Sequence, residues 1–302
     1  MLSRFCLFGL LALCTFAQYD EPYRPFYHFA PKSGWIGDPC GLIYYQGQYH
    51  LFWWGKAVTT DFTSYEEQSP RALIGDDGSF HYYTGSVVVD KKNTASFGKD
   101  KMIAVYTMTN KKTKNQSQGI SVSDDEVMFN YYPGNPVLDI NSTEFRDPTV
   151  FWHEPTSKWV MVVSAPIDRK IQFYSSDDLK EWPWLSDFGP WGSRLNIWEC
   201  PDIYQLPLDG DDNNKQWVLM TSVGPNQGQY FVGDFDGKTF TLNEQQKAFH
   251  LGGNPEERTL WVDGGSDFYA ARAFKDYDGT LKHTTWMAGM YHWDYARGEL
   301  PA

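Results

Sequence analysis

The sequence predicts an all-β fold, and two repeating patterns favour a five-bladed β-propeller. Short segments rich in Val, Ile, Tyr, Phe and Trp recur along the 302 residues, separated by Gly, Asp, Asn and Pro, while helical signals are nearly absent. This pattern is typical of many short strands joined by turns. The segments predicted as strands are 41–54, which contains a tight hairpin turn at Gly47, followed by 86–90, 102–109, 159–164, 216–223 and 229–235.

The first repeating pattern is an acidic turn that leads into an aromatic residue. It occurs at 60–65, 123–129, 176–182 and 233–240. Successive copies lie about 50–65 residues apart, and a period of that size in an all-β chain indicates propeller blades. Each blade is a four-stranded sheet that packs on the next one.

The second repeating pattern is a series of polar residues at a similar spacing. If each one belongs to the innermost strand of its blade, all five should face the central axis. The residues are Asp38, Ser86, Asp147, Glu199 and Asp267. Both patterns predict five blades. Five blades of about 60 residues exceed the available length, so we expect an incomplete fifth blade.

The N-terminal segment predicts a protein that enters the secretory pathway. Arg4 precedes a ten-residue apolar run, and small residues at 15 and 17 form a cleavage site, so residues 1–17 read as a signal peptide. The propeller domain is then 18–302, and no later segment has the roughly 20 apolar residues of a membrane span.

The remaining cysteines, Cys40 and Cys200, are predicted to be buried thiols rather than a disulfide. Cys40 lies two positions after Asp38 and should share its face of the strand. Cys200 follows Glu199 directly and should point to the opposite face, because side chains alternate along a strand.

Composition excludes some partners and favours others. The formal net charge is −12, so nucleic acid and anionic membranes are poor partners. Aromatic residues make up 17% of the chain. They suit both β-sheet cores and stacking on sugar rings, and Trp35 and Trp54 are candidates for the second role. The seven histidines lack metal-ligand spacing, so neither a metal nor a cofactor is predicted.

Three acidic residues stand in segments that combine an aromatic residue or an arginine with a proline. Asp38 lies in 35–41, Asp147 in 145–148 and Glu199 in 198–201. Cleavage of a glycosidic bond needs one carboxyl as the acid and another as nucleophile or base. Asp38 is short and precedes a proline, as suits a nucleophile, and the longer Glu199 suits a proton donor. Arg146 is expected to keep Asp147 charged, so that the pair can bind sugar hydroxyls.

At these segments the chain resembles glycoside hydrolase family 32, which contains invertases, fructan-cleaving β-fructosidases and fructosyltransferases. The family's Trp-Met-Asn-Asp-Pro-Asn-Gly segment is similar to 35–41, its Arg-Asp-Pro segment to 146–148, and its Glu-Cys-Pro segment to 199–201. Two further segments, 83–86 and 267–270, resemble its second-blade and fifth-blade motifs. The resemblance implies retaining hydrolysis through a fructosyl-enzyme intermediate on a five-bladed propeller.

The resemblance also implies roles for individual residues. Asp38 would be the nucleophile, Asp147 the transition-state stabiliser and Glu199 the acid/base. The substrate-binding residues would include Tyr83, Ser86, Arg146 and Asp267, and the substrate would be sucrose or a fructan.

This chain departs from the family in its first blade and at its end. Gly37 and Cys40 replace asparagines, and the loop after 49–52 is shortened. The family's C-terminal β-sandwich is not expected within the 302 residues. Three alternatives remain open: a fructosyltransferase, an inverting five-bladed hydrolase of arabinan or xylan, and a non-catalytic sugar-binding relic.

Overall fold

The fold is taken from a computed structural model of the protein. The structure describes residues 24–25, 28–75, 78–224, 227–265, 267–276 and 281–290, with side chains of the last range from 285 onward. The predicted signal peptide lies outside the described residues. Within these ranges, no helix combines the length and the apolar character that crossing a membrane requires.

Nearly all regular structure in these ranges is β-strand. The first half contains β1 (Cys40–Tyr45), β2 (Gln48–Phe52), β3 (Lys56–Thr59), β4 (Glu66–Ser69), β5 (Phe80–Asp90), β6 (Lys101–Asn110), β7 (Gln116–Ser123), β8 (Phe129–Tyr131), β9 (Leu138–Ser142) and β10 (Arg146–His153). The second half contains β11 (Lys158–Ala165), β12 (Lys170–Ser176), β13 (Trp184–Phe188), β14 (Trp198–Leu208), β15 (Asp211–Val223), β16 (Gln227–Phe235), β17 (Phe240–Leu242), α1 (Glu244–Leu251), β18 (Tyr269–Lys275) and β19 (Leu281–Gly289).

Within the described ranges the strands form four sheets. Sheet I has the order β19-β18-β1-β2-β3-β4, and sheet II has the order β5-β6-β7-β8 with β9 paired to β7. Sheets III and IV are the simple meanders β10 to β13 and β14 to β17. Every predicted strand segment overlaps one of these strands, and the all-β fold and the propeller arrangement are confirmed.

The prediction of five blades is wrong, since the described strands make four sheets. β18 pairs in parallel with β1, with Ile43 opposite Lys275, and therefore joins sheet I together with β19. A two-stranded hairpin is marginal by itself, and pairing with β1 provides the hydrogen bonds that a separate blade would obtain from further strands. The helix α1 was also missed, although its N-cap, Asn243, accepts a hydrogen bond from the Gln246 amide at 2.8 Å.

Five innermost strands, β1, β5, β10, β14 and β18, nevertheless form a ring around the axis. β1 and β5 are in contact. The Val150 amide of β10 donates to Ser86 Oγ of β5 at 3.0 Å, and Thr149 Oγ1 donates to the Pro201 carbonyl of β14 at 2.7 Å. The Ala273 amide of β18 donates to Asp202 Oδ2 of β14 at 2.9 Å. The β1–β18 pairing closes the ring, so side chains at one end of the different strands meet.

Hydrophobic clusters fill the spaces between neighbouring sheets. Ile103 and Val105 of sheet II pack with Trp159 and Met161 of sheet III, and all four are nearly or fully buried. Equivalent clusters join sheets III and IV, and sheets I and II. Because a core links each sheet to the next, the ring presents the cleft on a rigid support.

The acidic turns predicted as blade markers have one shared geometry. They join β3 to β4, β7 to β8, β12 to β13 and β16 to β17. In each turn, one aspartate carboxylate accepts the backbone amides two and three residues later. The four aspartates are Asp61, Asp125, Asp178 and Asp236, with N···O distances of 2.7–3.0 Å. This repeated geometry confirms that the sequence pattern marks a structural repeat.

These turns predict a loss of stability at low pH. Backbone hydrogen bonds lower the pKa of Asp61 from 3.8 to about 2. A lowered folded-state pKa stabilises the protein above pH 3.8, and this contribution disappears as the pH falls through about 2. Asp61→Asn should therefore lower the melting temperature at pH 5 more than at pH 2, as thermal unfolding at both pH values would show.

The control is Asp234→Asn, which changes an exposed aspartate of β16 whose carboxylate accepts no hydrogen bond from the described residues. It should change the melting temperature little at either pH. An Asp61→Asn effect of equal size at pH 5 and pH 2 would contradict the prediction.

Candidate active site

Each innermost strand is irregular where it reaches one end of the ring. The strand register shifts between Cys40 and Ile43, Tyr82 and Gly85, Arg146 and Thr149, Glu199 and Asp202, and Tyr269 and Arg272. Four of the five shifts contain a residue of positive φ, namely Gly41, Asp147, Cys200 and Ala270. A bulge interrupts the alternation of side chains and redirects them. In this protein, the bulges turn polar side chains toward the axis.

An open cleft of about 870 Å³ lies at this end of the ring. Its lining includes Asp38, in the segment that leads into β1 of sheet I, with Asp147 of sheet III and Glu199 of sheet IV. The structure thus brings together the three acidic residues that the sequence predicts to work as a group. A cleft of this size is within the usual range of small-molecule sites.

Asp38 lies immediately before β1 and is held by side chains from two other sheets. The Thr84 hydroxyl of β5 donates a hydrogen bond to Asp38 Oδ2. The Cys200 thiol of β14 contacts the same oxygen at 3.6 Å. The Cys40 thiol donates to the Asp38 carbonyl at 3.2 Å. The carboxyl is therefore oriented by two other strands, β5 and β14, and the Cys40 thiol holds the backbone of Asp38.

Asp147 is the most buried of the three acids, with 3% of its surface exposed. Its φ of 67° lies in the left-handed region that few non-glycine residues adopt. Its amide donates to Thr107 Oγ1 at 2.8 Å, and its Oδ2 accepts the Cys200 amide at 3.0 Å. These bonds hold Asp147 in the strained conformation that directs its carboxylate toward the cleft.

Glu199 is held by Arg146 and Tyr269. Arg146 Nε donates to Glu199 Oε1 at 2.8 Å, and the Tyr269 hydroxyl donates to Oε2. Arg146 also donates through Nη1 to Glu144 Oε2 at 2.6 Å. The expected direct pair with Asp147 needs correction, because the ion pairs of Arg146 are with Glu144 and Glu199. The charge of Arg146 nevertheless acts on Asp147 through space and opposes the rise in its pKa.

Burial and mutual repulsion change the acidity of two of these groups. Burial raises the pKa of Asp38, and the hydrogen bond from Thr84 and the charge of Arg272 oppose that effect. Burial, followed by the charges of Glu199 and Asp38, raises the pKa of Asp147. Like charges held close together favour the protonated form of one member. The cleft can therefore hold both charged and protonated carboxyl groups.

Both cysteines are buried free thiols, as predicted, but Cys200 does not point away from the site. Its Sγ lies 3.5 Å from Asp147 Oδ2 and 3.6 Å from Asp38 Oδ2. The reason is the bulge in β14, where the Cys200 φ of 50° breaks the side-chain alternation on which the expectation depended.

The predicted sugar-binding residues divide into two groups. Trp35, Trp54, Tyr83 and Arg146 line the cleft, and Trp35 and Tyr83 expose 69% and 48% of their surfaces. Trp54 is fixed by a hydrogen bond from Nε1 to the Tyr83 carbonyl at 2.7 Å. These four residues stand where a sugar could contact them.

Ser86 and Asp267 are not among the residues that line this cleft, and the prediction for them is corrected. Ser86 is buried, and its hydroxyl accepts the Val150 amide between β5 and β10. Asp267 lines a separate apolar groove beside β19. Thr84 and Tyr269, each two positions away in the same segment, line the cleft in their place. In the sequence, the motifs around Ser86 and Asp267 were the signal that pointed to this part of the chain.

The chemistry of the cleft is that of paired carboxyl groups among hydroxyl, thiol and aromatic side chains. Within the ranges that the structure describes, no group of three or more His, Cys, Asp or Glu residues could hold a metal ion. Two carboxyl groups beside exposed aromatic rings, at the axis of a propeller, define a β-propeller protein of the glycoside hydrolase type.

Comparisons with known proteins give the family. Residues 28–301 match the Glycosyl hydrolases family 32 N-terminal domain, and the chain belongs to this family. The levanase of Bacillus subtilis (strain 168) is 42% identical over 305 residues, which cover 93% of this chain and 43% of the levanase.

Two solved structures are similar in fold and sequence. The exo-inulinase of Aspergillus awamori has a TM-score of 0.82 and 35% identity, covering 94% of this chain and 62% of that chain. The β-fructofuranosidase of Schwanniomyces occidentalis, complexed with fructosyl-erythritol, has a TM-score of 0.77 and 34% identity, covering 90% and 55%. The chain spans about half the length of the curated relatives it matches.

Proposed function

We propose that this protein is a retaining glycoside hydrolase that removes terminal β-D-fructofuranosyl units from sucrose or fructans. The observation that carries the proposal is the convergence on one cleft of Asp38, which precedes β1, with Asp147 of β10 and Glu199 of β14. The names of the relatives support the substrate class, since they include a levanase, an exo-inulinase and a β-fructofuranosidase.

In the proposed mechanism, Asp38 attacks the anomeric carbon of the fructosyl unit while Glu199 protonates the leaving oxygen. The bond from Asp38 to the sugar replaces the glycosidic bond, giving a covalent fructosyl-enzyme intermediate. Glu199 then takes a proton from water, which attacks the same carbon and releases fructose and free Asp38. Asp147 binds sugar hydroxyls and stabilises the developing positive charge, and the exposed rings of Trp35 and Tyr83 stack on the sugar faces.

Product analysis tests the proposal. Sucrose, inulin and levan should each be incubated with the full chain, and free fructose and longer products measured at low and high substrate concentration. Fructose release supports the hydrolase, and fructosyl transfer at high substrate concentration would identify a transferase instead. Binding without release of any product would overturn the proposal in favour of a sugar-binding protein. Measuring the anomeric configuration of the first product distinguishes retention from inversion.

The protein is further proposed to act outside the cell. Residues 1–17 have the pattern of a secretory signal, and relatives from Aspergillus are named extracellular exo-inulinases. Sequencing the N-terminus of protein recovered from the medium of an expressing culture tests this. A mature chain that begins near residue 18 supports secretion, and retention of the protein with residues 1–17 in the cells contradicts it.

Tyr269→Phe should lower kcat for sucrose by about 10- to 150-fold and leave KM nearly unchanged, since one hydrogen bond to a charged group contributes about 1.5–3 kcal/mol. The Tyr269 hydroxyl donates to Glu199 Oε2, and its loss removes a group that orients the proposed proton donor. Steady-state kinetics on sucrose measure both constants.

Tyr174→Phe is the matched control, because the Tyr174 hydroxyl donates to Gln172 on β12, outside the cleft. It should retain the wild-type kcat. Equal losses in the two variants would show that the effect of Tyr269→Phe is not specific to Glu199.

A further inference from the structure

Arg272 is a buried arginine of β18 that the proposed mechanism does not use. Only 3% of its surface is exposed, and it is not among the cleft-lining residues. It lines a cavity of about 20 Å³ on the ring axis, together with Ser86, Thr149, Asp202 and Lys275. A guanidinium group is costly to bury without compensation, so its position requires an explanation.

Arg272 binds the backbone of two other innermost strands. Its Nη1 donates to the Pro201 carbonyl of β14 at 2.7 Å, and its Nη2 donates to the Asp147 carbonyl of β10 at 3.4 Å. Both carbonyls belong to the bulges that carry Asp147 and Cys200. One side chain thus holds together the irregular parts of two strands from different sheets.

The charge of Arg272 has no carboxylate partner at hydrogen-bonding distance among the described residues. Its nearest described bonds are to carbonyls, and its Nε has no partner there. The neighbouring Lys275 is different, because it forms an ion pair with Asp202. The charge of Arg272 instead acts through space on Asp38 and Asp147, where it opposes the rise in pKa that burial causes. On Asp147 the charge of Arg146 acts in the same direction and more strongly.

We propose that Arg272 is a positioning residue for the acidic cleft, which fixes two strand bulges by hydrogen bonds and supplies a buried positive charge behind the carboxyl groups. The role of those carboxyl groups in catalysis rests on the proposed function. The positioning itself is a property of the fold. Arg272 contacts no substrate in this proposal, and it acts through Asp38 and Asp147.

Other charged and titratable groups also face this part of the axis. They come from the strands packed around Arg272. The effect of the Arg272 charge on the pH profile must be distinguished from the titration of these groups. They are Asp38 and Cys40 at β1, Arg146 and Asp147 at β10, Glu199, Cys200 and Asp202 at β14, and Tyr269 and Lys275 at β18. Of the three cationic groups, Arg146 is paired with Glu199 and Glu144, and Lys275 with Asp202. Arg272 is therefore the cation whose removal should affect Asp38 and Asp147 with the fewest broken ion pairs.

The test compares neutral and charged replacements in the full chain. Arg272→Met and Arg272→Gln remove the charge, and Arg272→Lys retains it. The control is Thr149→Val, which removes the other side-chain hydrogen bond to the Pro201 carbonyl without changing any charge. The acidic limb of the pH profile of kcat/KM for sucrose reports the ionisation of the essential carboxylate.

The neutral variants should move the acidic limb to higher pH by about one unit, because an opposite charge nearby lowers a carboxyl pKa by roughly 1–3 units. Arg272→Lys and Thr149→Val should keep the wild-type limb, even if their kcat falls. An unchanged limb in both neutral variants, or an equal shift in Arg272→Lys, would overturn the inference.

Thermal unfolding provides a readout that needs no activity. Burial already raises the folded-state pKa of Asp38 and Asp147, so their ionisation destabilises the fold as the pH rises. Removing Arg272 should increase the destabilisation that ionisation of Asp38 and Asp147 causes. Arg272→Met should therefore lower the melting temperature, relative to wild type, more at pH 7 than at pH 4. The loss in Thr149→Val should be independent of pH. If wild-type protein releases no fructose, the proposed function fails, while a pH-independent loss in Arg272→Met overturns this inference.

Discussion

Asp38→Asn is expected to abolish fructose release, lowering kcat by about four orders of magnitude or more, as removal of an enzymatic nucleophile does elsewhere. The amide has nearly the same shape as the carboxylate and can still accept the hydrogen bond from Thr84. It cannot form the covalent bond to the anomeric carbon. Because burial raises the pKa of Asp38, the neutral amide should also fold well. Kinetics on sucrose and thermal unfolding of the same preparation measure both effects.

Asp187→Asn is the matched control for this variant. It makes the same chemical change on an exposed aspartate of the outer strand β13, where Asp187 pairs with Lys170. Its kcat should equal that of the wild type. Sucrose turnover that survives in Asp38→Asn at the wild-type rate would remove Asp38 from the mechanism and reopen the choice of nucleophile.

Glu199→Gln is expected to lower kcat for sucrose by about 10²–10⁴-fold, the usual contribution of a general acid. Glutamine keeps the hydrogen-bond partners of Glu199, since its amide can accept from Arg146 Nε and can also bond to the Tyr269 hydroxyl. The loss should therefore come from the missing proton. On a substrate whose leaving group needs no protonation, such as an aryl β-fructofuranoside with an acidic phenol, Glu199→Gln should lose much less activity. This applies to the first step, in which the fructosyl unit is transferred to Asp38.

The ratio between the two substrates is the decisive measurement for Glu199. A larger loss on sucrose than on the activated substrate identifies a proton donor. Equal losses on both substrates would indicate that Glu199 only shapes the cleft. Asp38→Asn serves as the comparison, because removal of the nucleophile should affect both substrates alike.

Several features of this site could be predicted from neighbouring residues in the chain. The strand segments, the hairpin at Gly47 and the acidic turns are local patterns, and the structure confirms them because turn geometry depends on a few adjacent residues. The three acidic segments were also recognisable, because each combines its carboxyl with a proline or an arginine. Their common period was enough to predict that they would meet.

Departures from regular alternation were not predictable in the same way. The thiol of Cys200 lies between Asp38 and Asp147 because of a bulge whose position depends on how β14 pairs with β15. Thr84 and Tyr269, which lie at the register shifts of β5 and β18, line the cleft where Ser86 and Asp267 were expected. Pairing register is set between strands, and a shift of two residues leaves the alternating pattern of each strand unchanged.

The sequence by itself therefore determined the all-β fold, the repeat, the family and the three acids of the cleft. The tertiary structure decided which neighbours those acids have. Arg146 binds the Glu199 carboxylate, and the buried Arg272 binds the Asp147 backbone carbonyl. It also decided that β18 joins β1 in one sheet. The reason is that local patterns record which way a short segment folds, whereas these contacts join residues from 53 positions apart, for Arg146 and Glu199, to 232 positions apart, for Ile43 and Lys275 (275 − 43). Their geometry exists only once the ring has closed.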